Sequence, residues 1–331
     1  MPQPNLYEPI QIDTSDEDSL CDAQSIANSN LSLSSSVRDY CYENGRRYHA
    51  YRHGQYPIPN DEEEQDRLAL MHHLFKLITG GDLYRAPIRA LREPRRILDI
   101  GTGTGAWALE IAEDFPRADV IGTDLSPIQP NWAPPNCTFH VDDAESDWTF
   151  APDEAFDYIH ARSLGGGIAD WQQLLRQAYQ HLKPGGWLEL QEYETWVRSD
   201  DGTHEQATML LDWQQKLDQS SRRFGKHMNV ASHVAGWMQG AGFVNVTDDV
   251  YKCPVGSWPK SPRLKEIGRV GKCTLWEAVE PYTLALFTRV MGYTFEQSQE
   301  YVDKVRGELL NASYHTYVLY HYVYGQRPLD G

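Results

Sequence analysis

Acidic residues bracket a glycine turn in this chain, and their spacing is what could do chemistry. Asp99 stands two positions before Gly101-Thr102-Gly103-Thr104-Gly105, Asp124 follows, and Asp142-Asp143-Ala144-Glu145 comes later. Glycine lets a ligand approach bare backbone, and a helix that starts just past such a turn offers unpaired N–H groups to it. A nucleotide-like ligand fits that arrangement. Three are in question: a nucleoside triphosphate, a dinucleotide and S-adenosylmethionine.

A triphosphate loop needs Gly-Lys-Ser/Thr at the helix start, but Gly105 is followed by Ala106 and Trp107. A dinucleotide is harder to exclude. Gly101, Gly103 and Ala106 satisfy the loose G-x-G-x-x-(G/A) pattern, and Asp124 stands about 20 residues on, where a ribose-binding carboxylate belongs. Asp99 weighs against it, because a carboxylate is electrostatically awkward beside a pyrophosphate. It suits a zwitterion that carries an ammonium and a sulfonium. Asp124 is then expected to accept from the ribose hydroxyls, and Asp143-Ala144 to address the adenine rim.

These residues need a scaffold. Ile97–Ile100 reads as a short buried strand, and Ala106 opens a helix that Pro116 ends. Further strands are expected at 118–124, 137–141, 156–160 and 187–191 and from 242, with helices at 172–182, 205–224 and 230–240. Lys183-Pro-Gly-Gly186 reads as a turn. Strands alternating with helices predict a doubly wound, mostly parallel α/β sheet. The last strand, 314–324, has no crossover of ordinary length before it. The interval 252–313 holds helical patterns at 273–291 and 295–310, and an insertion of that length is expected to act as a helical lid. Ahead of the sheet, 41–95 reads as a cap. Asn60 is expected to cap a helix carrying Leu68, Met71, Leu74, Phe75 and Ile78, which Gly80-Gly81 stops. Residues 1–40, acidic and serine-rich, read as a disordered tail.

Composition limits the partners. Asp and Glu outnumber Lys and Arg by 47 to 30, a net charge of −17, which argues against nucleic acid. The cluster Arg85, Arg89, Arg92, Arg95 and Arg96 reads as a solvated surface. The 5 scattered cysteines indicate neither a disulfide framework nor a metal site. With neither a signal-peptide core nor a membrane-length apolar run, a soluble cytoplasmic protein is expected.

In order and spacing, Asp99–Gly105, Asp124, Asp142–Glu145 and Leu182-Lys-Pro-Gly-Gly-Trp187 resemble the motifs of class I S-adenosylmethionine-dependent methyltransferases. Glu43-Asn-Gly-Arg-Arg-Tyr-His-Ala-Tyr51, Asp61-Glu-Glu-Glu-Gln-Asp-Arg67, Ser126-Pro-Ile-Gln-Pro130 and Tyr324-Gly-Gln-Arg-Pro328 make the likeness closer to the fungal LaeA-like methyltransferases. The resemblance spans about residues 40–328. It implies a seven-stranded Rossmann-like sheet whose last strand is antiparallel. It also implies that Thr102, Leu125 and Asp142 join Asp99, the glycines, Asp124, Asp143 and Ala144 around the cofactor. The aromatic segment with Tyr48, Tyr51, Arg52 and Tyr56 would fold over it, where rings could hold a sulfonium.

Reacting groups gather outside the carboxyl ends of strands in such sheets. His160, Arg162 and Ser163 stand there after one expected strand, and Glu192, Tyr193 and Glu194 after another. His160 is the first candidate for a base or for contact with the cofactor, since imidazole titrates near neutrality; Glu192 and Tyr193 follow. Against this stand plainer readings, with His160 as packing and Glu192 and Glu194 as solvated loop. Three functions compete: methylation of a small molecule at oxygen or nitrogen, nuclear regulation of secondary metabolism through protein partners, and nicotinamide-dependent oxidoreduction.

Overall fold

The computed structural model describes residues 6, 8–13, 40–49, 51, 52, 54–90 and 93–329. The serine-rich stretch and Arg92 lie outside them. Within the segment expected as a tail, residues 8–13 dock on the body: Ile12 bridges to Pro259, and the Asp13 carboxylate meets Lys265 Nζ at 2.6 Å.

A short hairpin, β1 (Cys41–Glu43) and β2 (Arg46–Tyr48), leads into α1 (Glu62–Thr79). Asp61, not Asn60, is the N-cap: its side chain accepts from Glu64 N, while three glutamates in the first turn complement the helix dipole. Asn60 is used elsewhere, donating from Nδ2 to Ser126 Oγ and accepting from Arg47 Nε. Gly80, left-handed at φ 79°, closes the helix as expected.

The sheet holds β3 (Arg96–Ile100), β4 (Asp119–Asp124), β5 (Cys137–Val141), β6 (Phe156–Arg162), β7 (Leu182–Tyr193), β8 (Val244–Pro254) and β9 (Tyr317–Gln326) in the order β5-β4-β3-β6-β7-β9-β8. Only β9 runs against its neighbours, as the resemblance implied. Helices α2 (Ala106–Asp114), α3 (Trp171–His181), α4 (Thr208–Phe224) and α5 (Ala231–Gly240) cover it. Its central strands are buried on both faces, as parallel strands under helices must be. Successive residues of β3 point to opposite layers: Ile97 packs with Trp107 and Ile111 of α2, and Leu98 and Ile100 with Leu174 and Val234 of α3 and α5. The expected Lys183–Gly186 turn lies inside β7, at an irregularity in its pairing with β6.

Between β8 and β9 comes the insertion. Its first helix, α6 (Pro262–Leu286), begins well before the expected 273, with Pro262 in its first turn. Pro281 sits inside α6, where it removes a backbone donor, and a π-helical turn at Phe287–Met291 follows before α7 (Phe295–Leu309). With α1 and α4, these helices bury Tyr320 and Tyr322 of β9. Cys41, Cys137 and Cys253 are free thiols; Cys273 is disulfide-bonded, which the cysteine spacing did not announce.

A buried carboxylate joins the cap region to the sheet. Glu189, fully buried on β7, accepts from Arg85 N, Ala86 N and Tyr158 Oη at 2.8–3.0 Å. Removing it strands those donors without water. Glu189→Ala is expected to cost about 3 kcal/mol, measured as a lowered urea midpoint with an unchanged denaturant slope.

Candidate functional site

The carboxyl ends of β3, β4 and β6 open into a cleft of about 1030 Å³, its mouth included. The sheet contributes Gly101, Gly103, Asp124, Leu125, Asp142, Asp143 and Ala144. From the cap come Tyr56, Asn60, Glu64 and Arg67, and from α6 comes Tyr282.

The glycine turn is held from both sides. Thr102 N donates to Thr123 O at 2.9 Å and Gly103 N to Asp124 Oδ2 at 2.8 Å. Gly105 has φ 81°, and a Cβ there would stand 2.6 Å from the Phe139 ring, so only glycine lets α2 start at this point. Below the turn, Asp99 is buried and both its oxygens are used: Oδ2 accepts from Thr102 Oγ1 at 2.6 Å, and Oδ1 meets His160 Nδ1 at 2.7 Å. The His160 ring stacks on Trp107, with centroids 3.7 Å apart.

This corrects several expectations. His160, Asp99 and Thr102 do not line the cleft. They border a smaller space of about 440 Å³ beneath the turn, and His160 is fully buried. His160 supports the turn through Asp99, and the space it borders shares Gly101, Gly103, Arg162 and Ser163 with the cleft. Gly105 shapes the backbone without facing the cleft. Tyr48 is also absent from the lining: it is buried under the Arg289 guanidinium, 5.1 Å from its ring centroid. Glu192 is no base at the surface of the site either. It is buried behind the loop after β6, where it accepts from Leu164 N at 2.7 Å and Gly165 N at 3.2 Å. Burial pushes its carboxyl up to about 7, against those two bonds. Tyr193 opens on a different cavity.

The remaining expectations converge on the cleft. Asp124 is its centre: Oδ1 accepts from Ser126 N and Oδ2 from Gly103 N, both at 2.8 Å. Each oxygen keeps a lone pair for a ribose hydroxyl. Burial raises its carboxyl to about 6; the backbone bonds oppose that rise, and the Asp99 charge adds to it. Asp143 accepts from Glu145 N and is held by Arg52 Nε at 3.1 Å, which fixes the rim where an adenine edge would lie. Asp142, exposed, takes Asp143 N.

Other parts of the site were not drawn from the sequence. Arg162 is a half-buried guanidinium with no ion pair within 4 Å among the described residues. Its Nη2 meets His72 Nδ1 at 3.0 Å, and it lies 4.9 Å over the Phe75 ring. Burial lowers its proton affinity. Arg67 is gripped by Glu64 through Nε and Nη2 at 2.9 and 2.5 Å, leaving Nη1 buried without a partner. The run Gly165-Gly166-Gly167 was a signal left unread: a Cβ on Gly165 would sit 2.4 Å from Met228 O.

These residues fit S-adenosylmethionine. Asp124 and Asp143 suit the hydroxyl and amino donors of a nucleoside, and the carboxylate-free Arg162 calls for an anion such as an amino-acid carboxylate. Asp99, expected to take the ammonium, is bonded to Thr102 and His160 at the edge of the adjoining space.

Fold and cleft together define a nucleoside-binding transferase class with a parallel core and one reversed strand. A family model described as a methyltransferase domain matches residues 70–248. The chain is 45% identical over 300 residues to methyltransferase pytC of Aspergillus terreus, covering 90% of this chain and 91% of that protein. It is 38% identical to the secondary metabolism regulator LAE1 of Cochliobolus heterostrophus, over 86% of this chain and 94% of that one. It is 36% identical to the secondary metabolism regulator laeA of Aspergillus fumigatus, over 87% and 77% respectively. The chain belongs to the S-adenosylmethionine-dependent methyltransferases, in the family these fungal proteins share.

Two outcomes follow at the cleft. Hydroxyl donors prefer an ionised Asp124, so S-adenosylhomocysteine should bind most tightly above about pH 6. Affinity should fall below that pH, toward tenfold per unit. Calorimetry across pH 5–8 checks it, and Asp124→Asn should weaken binding at least tenfold and flatten the profile. Gly165→Val should push the loop off Met228 O and weaken the same ligand about tenfold, with the change in melting temperature read in parallel.

Proposed function

We propose that this chain is a tailoring enzyme that methylates an oxygen or nitrogen of a small secondary metabolite, working in the cytoplasm. The observation that carries this reading is the enclosure of the cleft. Tyr56, Ile58 and Leu68 from the cap and Tyr282 from α6 stand against the sheet residues, so that apolar side chains share the walls with charged groups, Asp124, Asp143 and Arg162 among them. Such a space suits a small acceptor and keeps water out. The net charge of −17 argues against a nucleic-acid acceptor.

When bound, S-adenosylmethionine supplies a methyl group on a positively charged sulfur together with its leaving group. The chain's own contribution is placement. Asp124, beside the glycine turn, would hold the nucleoside and Arg162 the amino-acid carboxylate, with Tyr282 on the same walls. In the best intramolecular models such orientation lowers a barrier by roughly 7–11 kcal/mol.

A second reading, a nuclear regulator acting with protein partners, is favoured by the two relatives that carry the name of secondary metabolism regulators. Metabolite profiling of a deletion strain separates the two. Tailoring predicts one compound family shifted by a methyl mass, and the loss of many unrelated compounds together would overturn it. A fluorescent fusion should lie in the cytoplasm; nuclear accumulation would favour the regulator.

A further inference from the structure

We propose that the methyl acceptor is an apolar ring compound bearing an ionised oxygen, seated in the cavity behind Tyr282 with that oxygen turned toward Arg67. This rests on the methyltransferase reading and names its substrate class.

A second cavity, of about 480 Å³, lies between α6 and the β7–β9 end of the sheet. Met71, Trp213, Val255, Leu275, Ala278 and Val318 make its wall almost wholly apolar. Helix α6 reaches the sheet this closely because of Gly271, where a Cβ would stand 2.6 Å from Pro254 O. Tyr282 belongs to the walls of both the cavity and the cofactor cleft. Its hydroxyl shares a short hydrogen bond with that of Tyr193, so a ligand that parts the two phenols joins the two spaces. A ring system entering from the cleft is desolvated by this wall, and the buried Thr195 hydroxyl, unpartnered at present, can meet a polar group on it.

A spare cationic donor stands at the boundary. The Arg67 guanidinium lies 5.2 Å over the Tyr282 ring, and Nη1 is the donor that Glu64 leaves unpaired. A buried donor of that kind is best satisfied by an anionic oxygen.

Among the described residues the carboxylates on these walls are already engaged, Asp142 at the rim by Asp143 N. Glu194 is held by Arg198 and faces His321 Nε2 at 3.7 Å, and Glu64 is held by Arg67. Asp143 is held by Arg52, and Asp124 accepts two backbone N–H groups at the ribose end. His72 and His160 open on the third space, engaged by Arg162 and Glu110 and by Asp99. The acceptor must therefore arrive ionised, as a carboxylate or an acidic enol or phenol whose proton has gone to solvent. Its oxygen forms the bond to the methyl carbon as the carbon–sulfur bond of the bound sulfonium breaks. The electron pair leaves with sulfur, the opposite charges cancel, and no proton stays in the site.

The test uses the full chain loaded with S-adenosylhomocysteine and titrated with 2-naphthoate or its neutral isostere 2-naphthylmethanol. Naphthoate should bind at one site at least tenfold more tightly than the alcohol. Ala278→Phe should abolish that binding while S-adenosylhomocysteine affinity stays within about twofold; Leu275→Trp, on the same wall, provides a second blocked form. Naphthoate binding that is absent, that survives both substitutions, or that the alcohol equals overturns the proposal. Failure of the unmodified chain to bind S-adenosylhomocysteine would overturn the methyltransferase reading itself, a separate result.

Discussion

The buried carboxylate of Asp99 is the interaction on which the site depends. A charge in the middle of a parallel sheet is tolerable only with its oxygens bonded, and here a threonine hydroxyl and an imidazole do that. The first bond pins the glycine turn; the second ties it to β6 and, through the stacked Trp107, to the first turn of α2. With the floor of the turn fixed, its N–H groups are left to face Asp124. The cleft is therefore preorganised by the network beneath its glycine turn.

Charge is divided along the cleft. Acceptors gather where hydroxyl and amino groups would lie, and two guanidinium groups, Arg67 and Arg162, line the same cleft. Both depart from ordinary pairing, Arg162 with a histidine in place of a carboxylate and Arg67 with one donor to spare. A buried donor without a partner is costly. Anionic groups on a bound ligand would complete both.

Much of this was legible locally. The glycine turn, the carboxylates after β4 and β5 and the strand–helix alternation are encoded in adjacent residues. Errors arose where a strand ran further than its pattern suggested. β6 continues to Arg162, so His160 lies inside the ladder opposite Asp99 and Glu189, and its side chain enters the core. β7 likewise continues to Tyr193, placing Glu192 within the strand opposite His321. A residue expected at a strand's mouth thus became part of its body. The helix cap was misread by one place, since Asn60 and Asp61 are equally good caps and only the distant Ser126 and Arg47 decide between them. Arg67 and Tyr282 meet across more than 200 residues of chain, beyond any local pattern.

The insertion departs from Pro254 and returns at Tyr317, and these two residues are direct partners in the β8–β9 ladder. Its ends thus close like the base of a hairpin loop, and helices of another length could be exchanged there without shifting the register of the sheet. The residues that would hold the nucleoside stand on β4 and in the loops after β3 and β5, across the sheet from this ladder. One lineage could therefore inherit the donor half of the reaction unchanged while its acceptor half diverged. Relatives with different small-molecule partners, or with none, are what such a division of the chain permits.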